Sequence, residues 1–217
     1  MTRRPRLLTT AAAGVTAVLL LAGCGGNDDT KQNHKITGAD TAPPKSSSPT
    51  PTEPTSPDRP KIELPSDVRL TFTPEKAGDA VKDAILSDNA ELIRALDAAI
   101  VAQNPRLPAL EYYTEGEGAV AAQEWVKSFK DAGWTITGTV RYFDRQVDIE
   151  SEDKASLSYC GDESKGYSKV IKTNEIKQTE VTKDSYVAYG VQVQKNQKGV
   201  WELVKIASTR GAGRCQP

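Results

Sequence analysis

Cys24 is the residue whose surroundings point most directly to a chemical modification. It follows the small residues Ala22-Gly23 at the end of an uncharged, mostly apolar run over residues 7–21. Three arginines in residues 3–6 precede that run. A positive start, an apolar stretch and small residues at a cleavage point are the parts of a secretory leader, in the order that export requires. The sequence therefore predicts export and places Cys24 at the boundary between leader and mature chain.

The segment Leu21-Ala22-Gly23-Cys24 resembles the lipobox of bacterial lipoproteins. The resemblance implies that residues 1–23 are a signal peptide and that Cys24 becomes the mature N-terminus. Its sulfur would carry a diacylglyceryl thioether, and its amino group is the site for a further acyl chain such as palmitate. Two acyl chains give stable anchoring, whereas one gives only marginal membrane binding. The expected location is therefore the outer face of the cytoplasmic membrane, with the membrane as a partner through the lipid anchor.

Two other interpretations of this segment stay open, an ordinary secretory signal and an uncleaved membrane helix. The apolar run is shorter than the roughly 20 residues that a spanning helix usually needs. Arg3-Arg4 also leaves twin-arginine export open, although Pro5-Arg6-Leu7-Leu8 fits that pattern poorly.

Two cysteines, Cys160 and Cys215, remain once Cys24 is assigned to the lipid. An exported protein folds in an oxidising compartment, where such a pair is expected to form a disulfide. The alternative is a redox-active pair, which the lack of Cys-x-x-Cys spacing disfavours. We therefore predict a structural bridge between Cys160 and Cys215 that holds the glycine-rich C-terminal tail.

The segment 24–66 is predicted to be a disordered tether. Between residues 41 and 60, seven of twenty residues are proline and eight are serine or threonine, so the segment offers almost no apolar surface to offset chain entropy. Proline favours an extended chain of roughly 3.1 Å per residue, so the tether would reach on the order of 100 Å from the membrane.

Few residues of the chain suit catalysis or metal binding. The single histidine, His34, lies in the tether, and the chain has neither a Gly-x-Ser-x-Gly elbow nor a phosphate-binding glycine loop. Asp148, Glu150 and Glu152 alternate and could gather Ca²⁺, but they lack the turn and carbonyl ligands of a dedicated loop, which favours a solvated strand end. The net charge of the mature chain is −4, from 25 basic and 29 acidic residues, so nucleic acid is a poor partner. We predict no catalytic residue, no metal and no cofactor.

Apolar periodicity predicts three helices in the first half of the remaining chain. The first starts with Thr73 as cap and Pro74 in its first turn, and Ser87-Asp88-Asn89 separates it from the second, which Asn104-Pro105 ends. Leu107–Tyr113 is predicted as a short strand. The third helix follows a capping box, Thr114-x-x-Glu117, and ends at Gly133 in a left-handed turn.

After Gly133, apolar residues recur at every second position, which predicts strands. A long strand over residues 134–149 contains a shift in apolar parity, which predicts a bulge near residues 144–146. Further strands are predicted around residues 155–159, 187–193 and 200–208, with an exposed hairpin arm between residues 167 and 182.

The order of these elements resembles nuclear-transport-factor-2-like (NTF2-like, cystatin-like roll) domains, and the chain is similar to secreted actinobacterial lipoproteins that carry this domain behind a tether. The resemblance implies an α+β domain over residues 67–217, with three helices packed on a curved antiparallel sheet of four to five strands. The segments that carry it are Gly133-Trp134, Leu157-Ser158-Tyr159-Cys160-x-Asp162, Gly199-Val200-Trp201 and Cys215.

The resemblance also implies a conical cavity between sheet and helices, with Asp144 and Asp162 near its mouth. An isomerase-type site would need a carboxylate base and a hydroxyl partner, for which Asp144 with Tyr142 or Tyr159 are the candidates. Five aromatic residues are expected to line the cavity: Trp134, Tyr142, Tyr159, Tyr189 and Trp201.

We favour a non-catalytic function for this chain over an enzymatic one. The lipid-anchored domain would bind a small apolar ligand in the cavity, or a partner protein or cell-wall component on its open sheet face. The alternatives are an isomerase- or cyclase-like enzyme that uses the cavity, and an accessory subunit of a membrane complex. An isolated carboxylate in an open cavity, within hydrogen-bond reach of a tyrosine, would favour the enzyme. A cavity filled by Trp134, Tyr159 and Trp201 would favour the accessory subunit.

Overall fold

The computed structural model describes residues 59–217. The predicted signal peptide, Cys24 and the tether up to residue 58 lie outside the described residues. Within residues 59–217, no helix is long and apolar enough to cross a membrane. The described chain is an α+β domain in which helices pack against one face of a six-stranded sheet, and this confirms the predicted fold class.

Three helices and six strands make up the domain, with two single turns of 3-10 helix at Lys183–Ser185 and Gly213–Cys215. In chain order the main elements are β1 (Val68–Phe72), α1 (Ala80–Val101), α2 (Pro108–Tyr112), α3 (Gly116–Ala132), β2 (Trp134–Ile149), β3 (Lys154–Val170), β4 (Ile176–Lys177), β5 (Tyr186–Lys195) and β6 (Trp201–Arg210).

Helix α1 is continuous where the sequence predicted two helices with a break at Ser87-Asp88-Asn89. Asp88 and Asn89 are polar residues inside the helix, but both are buried and have tertiary partners. Asp88 pairs with Arg59 and accepts a hydrogen bond from the backbone N–H of Trp201, at 2.9 Å. Asn89 accepts one from Arg145, at 3.1 Å. The helix persists because these contacts give partners to the side-chain oxygens, which would otherwise favour a turn.

The predicted helix starts were wrong in two places. Helix α1 begins after Asp79, whose carboxylate caps the N–H groups of the first turn, and the Thr73-Pro74 pair lies outside it. The capping box at Thr114 does not form, because the Thr114 hydroxyl donates to the carbonyl of Leu110 at 2.9 Å. The segment predicted as a strand at residues 107–113 forms the short helix α2. The left-handed turn at Gly133, with φ 68°, is confirmed.

The strands lie in the order β1-β2-β3-β5-β6, and β4 pairs with the far end of β3. All pairs are antiparallel except β1 with β2, where Val68 lies opposite Gly138 in a parallel register. The sheet is therefore mixed and has one strand more than predicted, because β1 pairs with β2 from outside the meander that the periodicity identified. The predicted hairpin arm is present as β3 and β4, and the register of β2 shifts between Phe143 and Gln146, as the parity change predicted.

The disulfide between Cys160 and Cys215 is present, and it joins the middle of β3 to the C-terminal turn. Both cysteines are buried. Cys160 follows Tyr159, whose side chain faces the helices, so the bridge lies on the other face of the sheet. The bridge holds the chain end there as predicted, together with a hydrogen bond from the Gly211 N–H to the Tyr186 carbonyl at 2.9 Å and one from Arg214 to the Tyr159 carbonyl at 3.4 Å.

The folded part of the chain starts earlier than residue 67. Arg59 pairs with the fully buried carboxylate of Asp88 and lies 3.4 Å from the Tyr113 hydroxyl oxygen. Ile62 packs against the main core. The hydrogen bond that Arg59 donates to Asp88 raises the pKa of Arg59, with burial opposing it. The composition assigned residues 59–66 to the tether. They are attached to the domain because one ion pair and one apolar side chain offset the entropy cost of ordering them.

Candidate functional site: an apolar cavity with two carboxylates

A cavity of about 710 Å³ lies between the sheet and the helices α1 and α3. Volumes of this size are typical of sites for small molecules. Its walls are mostly aliphatic and aromatic, and its polar groups are few. The lining comes from α1, α3 and every strand except β4, and its apolar residues include Leu70, Leu92, Ile93, Leu96, Ile100, Ala121, Ala122, Phe129, Ile136, Val140 and Ile206.

Four of the five predicted aromatic residues lie at the cavity wall: Trp134, Tyr142, Tyr159 and Tyr189. Trp134 and the neighbouring Trp125 of α3 are 38% and 48% exposed, so the cavity has an aromatic rim that solvent reaches. The aromatic side chains therefore form walls and a rim, and they do not fill the space.

Trp201 was wrongly placed in this set. Its side chain is 2% exposed and belongs to the core near the start of β6, with the Lys195 ammonium 5.9 Å from the ring centroid. Its backbone N–H donates to Asp88, which fixes this end of β6 on α1, away from the cavity lining.

The three tyrosines of the wall form one aromatic cluster. The rings of Tyr159 and Tyr189 are stacked with centroids 5.0 Å apart, and Tyr142 packs edge-on against Tyr159 at 6.0 Å. Gly161 makes this approach possible, because a Cβ there would lie 3.0 Å from the Tyr189 ring. Burial raises the pKa of all three phenols, to about 12 for Tyr159, so they act as neutral hydroxyl groups at physiological pH.

Neither predicted aspartate belongs to the cavity lining. Asp144 is the exposed, positive-φ residue of the β2 bulge, and its carboxylate faces Arg214 at 3.6 Å. Asp162 lies on the opposite face of β3 from Tyr159, where it faces Arg141 at 3.4 Å. The predicted pairing of Asp144 with a cavity tyrosine is therefore wrong, since the bulge turns this side chain outward.

Two other carboxylates line the cavity, Asp97 of α1 and Glu163 of β3. Burial, reinforced by the negative charge of Glu163, raises the pKa of the Asp97 carboxyl from its usual value near 3.8 to about 7. Within residues 59–217, no side chain or backbone group donates a hydrogen bond to Asp97 and no cation pairs with it. Asp97 is thus a carboxyl group that changes charge near neutral pH inside an apolar space.

Glu163 differs from Asp97 because both of its oxygens have partners. Tyr189 donates its hydroxyl hydrogen to Oε1 at 2.9 Å, and the Arg210 guanidinium lies 2.8 Å from Oε2. These contacts connect β3, β5 and β6 at the cavity wall. Glu163 is therefore a satisfied, charge-balanced group, and Asp97 is the cavity carboxyl that a ligand can reach.

Both carboxylates occupy apolar positions of the sequence pattern, although the sequence-based prediction did not include them. Asp97 lies four residues after Ile93 and three before Ile100, so it occupies the apolar stripe of α1. Glu163 continues the alternation of Leu157, Tyr159 and Gly161, so it lies on the face of β3 that turns toward the helices. An acidic residue at an apolar position of the pattern indicates either a buried ion pair or a functional group.

No group of three or more potential metal ligands comes together within the described part of the chain. Asp148, Glu150 and Glu152 are exposed side chains at the end of β2 and just beyond it.

No known protein family and no curated protein matches the sequence. Solved structures similar to this chain include a ketosteroid isomerase-like protein from Erwinia carotovora atroseptica SCRI1043, with 13% identity, a TM-score of 0.40 and coverage of 58% of this chain and 93% of that one. The intermembrane space region of the chloroplast protein ARC6 matches with 12% identity, a TM-score of 0.35 and coverage of 59% and 97%. Similarities at these sequence identities indicate no more than the fold.

Proposed function

We propose that this protein is a lipid-anchored extracytoplasmic domain that binds a small apolar ligand in the cavity between its sheet and helices. The observation that carries the proposal is the open, mostly apolar space of about 710 Å³, which a domain stabilised only by packing would fill with side chains. An aromatic rim that solvent reaches supports entry of a ligand from outside.

The anchoring part of the proposal depends on Cys24. An acylated Cys24 would hold the domain near the outer leaflet, from which apolar molecules can partition into the cavity. The Cys24→Ser variant, expressed in the native host, is expected to leave the membrane fraction and enter the medium. Retention of this variant in the membrane pellet would refute the anchor, and it would leave ligand binding in the cavity untouched.

Ligand binding is tested by a substitution that fills the cavity. Ala121 lines it, whereas its neighbour Val120 is 55% exposed and is not part of the lining. Ala121→Trp is expected to abolish binding of a neutral fluorescent probe, N-phenyl-1-naphthylamine, and co-purification of lipids detected by mass spectrometry. Val120→Trp adds the same side chain outside the cavity and is expected to bind normally. Equal binding by both variants would contradict the proposal.

A second candidate function is proton transfer on a bound ligand, as in an isomerase or cyclase. The observation that favours it is the pKa of Asp97 near 7, because a general base works best when its pKa lies close to the operating pH. The neutral hydroxyl of Tyr142 would be the hydrogen-bond donor to the ligand, since Tyr142 lines the same cavity and Asp97 raises the Tyr142 pKa more than any other charge does.

Proton transfer is tested without knowledge of the natural substrate. A lipophilic cyclic ketone incubated with the protein in heavy water would take up deuterium next to its carbonyl group if Asp97 acts as a base. Asp97→Asn would abolish this uptake and leave binding of the ketone intact. Absence of uptake in the unmodified protein, with binding demonstrated, would restrict the function to ligand binding.

A further inference from the structure

The two carboxylates of the cavity offer very different contacts to an occupant. Glu163 already accepts from Tyr189 and pairs with Arg210, so its hydrogen-bonding capacity toward a ligand is largely used. Asp97 has no donor among residues 59–217. The Asp97 carboxyl is half-buried at an apolar wall, where it keeps only part of the solvation it had in water, and a ligand that supplies a donor or a positive charge compensates for that loss.

The charges around the cavity disfavour an anionic ligand. Asp97 and Glu163 bring two acids to the lining, and the single cation of the lining, Arg210, is paired with Glu163 and also donates to the carbonyl of Asp184 at 3.1 Å. A carboxylate head group would add a third negative charge beside Asp97 without a cation in reserve. The remaining titratable groups of the lining are phenols, Tyr142, Tyr159, Tyr167 and Tyr189.

We propose that the occupant is a lipophilic molecule with a hydrogen-bond-donating or cationic head group, an alcohol or an amine, whose head contacts the Asp97 carboxyl. Its apolar body lies along the aliphatic wall formed by α1 and β2, which includes Ile93, Ile100 and Ile136. Lipophilic acids of the same size bind more weakly. The inference rests on the proposed ligand-binding function and adds the chemical class of the ligand.

Matched probes of one chain length test this class. Decylamine, 1-decanol and decanoate differ only in the head group, and their binding is measured by displacement of N-phenyl-1-naphthylamine at pH 8. We expect decylamine and decanol to bind at least about tenfold more tightly than decanoate, the ratio that one favourable charged contact against one repulsive contact supports. Decanoate that binds as tightly as decylamine, or three equal affinities, would overturn the inference.

The Asp97→Asn variant assigns the preference to this carboxyl group. It is expected to reduce the ratio of amine to carboxylate affinity about tenfold and to leave decanol within about threefold. Asp144→Asn makes the same change at an exposed residue outside the cavity and should alter none of the three affinities. An unchanged ratio in the Asp97 variant would refute a contact between head group and Asp97.

A pH series on the unmodified protein gives the same information without a substitution. Decylamine keeps its charge from pH 5.5 to 8, whereas Asp97 becomes protonated at the lower pH. Decylamine affinity should therefore fall about tenfold toward pH 5.5, and decanol affinity should stay constant. A constant decylamine affinity over this pH range, together with an unchanged affinity ratio in the Asp97→Asn variant, would overturn the inference. Failure of the fluorescent probe itself to bind would instead contradict the proposed function, so the two failures are distinguishable.

Discussion

The Tyr189 hydroxyl donates a 2.9 Å hydrogen bond to Glu163 and thereby connects β5 to β3 at the cavity wall. Arg210 of β6 binds the other oxygen of the same carboxylate at 2.8 Å. One acidic side chain thus holds three neighbouring strands, and its charge is balanced within the protein. Asp97, across the cavity on α1, has neither kind of contact within residues 59–217. Glu163 is therefore a structural carboxylate, whereas Asp97 is available for binding or catalysis.

Replacing Asp97 should change how the stability of the domain depends on pH. The folded-state pKa near 7 lies above the unfolded value near 3.8, so the folded state binds more protons between these pH values. The contribution of Asp97 to the free energy of unfolding is therefore present at low pH and is lost as pH rises to about 7. The free energy of unfolding of Asp97→Asn, relative to that of the unmodified protein, should therefore increase by about 1–3 kcal/mol from pH 4 to pH 8.

Urea denaturation at pH 4, 6 and 8 measures this difference. Asp148→Asn, which changes an exposed residue of β2, is the matched control and should follow the unmodified protein at each pH. A difference between Asp97→Asn and the unmodified protein that stays constant with pH would show that Asp97 does not titrate in this range.

The ion pair of Arg59 with Asp88 should stabilise the domain although Arg59 belongs to a stretch with the composition of a linker. Arg59→Met leaves the fully buried Asp88 carboxylate with only the Trp201 N–H as a donor. The expected loss is about 2 kcal/mol, less than for a completely buried pair because Arg59 is partly exposed. Thermal or urea denaturation measures it.

Lys61→Met is the matched control for Arg59→Met. Lys61 pairs with Glu63 at the surface, where both side chains are largely exposed, and such pairs contribute little. A loss of stability in the Lys61 variant equal to that in the Arg59 variant would mean that Arg59 acts through general charge and not through Asp88. The double variant Arg59→Met, Asp88→Asn should recover part of the loss, since it removes the stranded charge.

The strands were easier to predict than the helices, for a physical reason that individual residues illustrate. In β2 every second residue from Trp134 to Tyr142 faces the cavity, so the apolar alternation reports directly on the fold. In α1 the Asp88-Asn89 pair indicates a break when only local interactions are considered. Its partners, Arg59, Arg145 and Trp201, lie 29 to 113 residues away in the chain. Such distant contacts override local propensity.

The cavity carboxylates show the same limit for function. Aromatic residues of the wall could be predicted because they alternate along strands. The apolar pattern of α1 also shows that Asp97 points inward. It does not show that Asp97 titrates near pH 7, because that pKa arises from burial and from Glu163 on a distant strand. Asp144 shows the converse, because the resemblance placed it at the cavity mouth although the predicted bulge at residues 144–146 interrupts the alternation and turns this side chain away from the cavity.

The disulfide between Cys160 and Cys215 should contribute several kcal/mol to stability. It closes a loop with a sequence separation of 55 residues, for which chain entropy gives about 4 kcal/mol. The double variant Cys160→Ala, Cys215→Ala should lose a comparable amount in urea denaturation. Mass spectrometry of the exported protein under non-reducing conditions should find both residues in one cross-linked peptide pair. Free thiols at both positions would refute the bridge, and full stability of the double variant would refute its contribution.

Gly118 should not tolerate alanine, although it lies inside helix α3, where alanine is ordinarily favoured by about 1 kcal/mol. A Cβ at this position would lie 2.3 Å from the carbonyl oxygen of Leu203 in β6. The contact is with backbone, and Leu203 is held there by hydrogen bonds to Tyr113 and Glu115 at 2.9 Å each. Helix α3 would have to move away from β6, which should cost about 1–3 kcal/mol net.

Gly190→Ala is the matched control, because a Cβ at Gly190 in β5 meets nothing within 4 Å. This variant should keep the stability of the unmodified protein to within about 0.5 kcal/mol. Since α3 and β6 both line the cavity, Gly118→Ala should also weaken binding of N-phenyl-1-naphthylamine, whereas Gly190→Ala should not. A Gly118→Ala protein that is as stable as the unmodified one, with unchanged probe binding, would mean that the close packing of α3 on β6 does not shape the cavity.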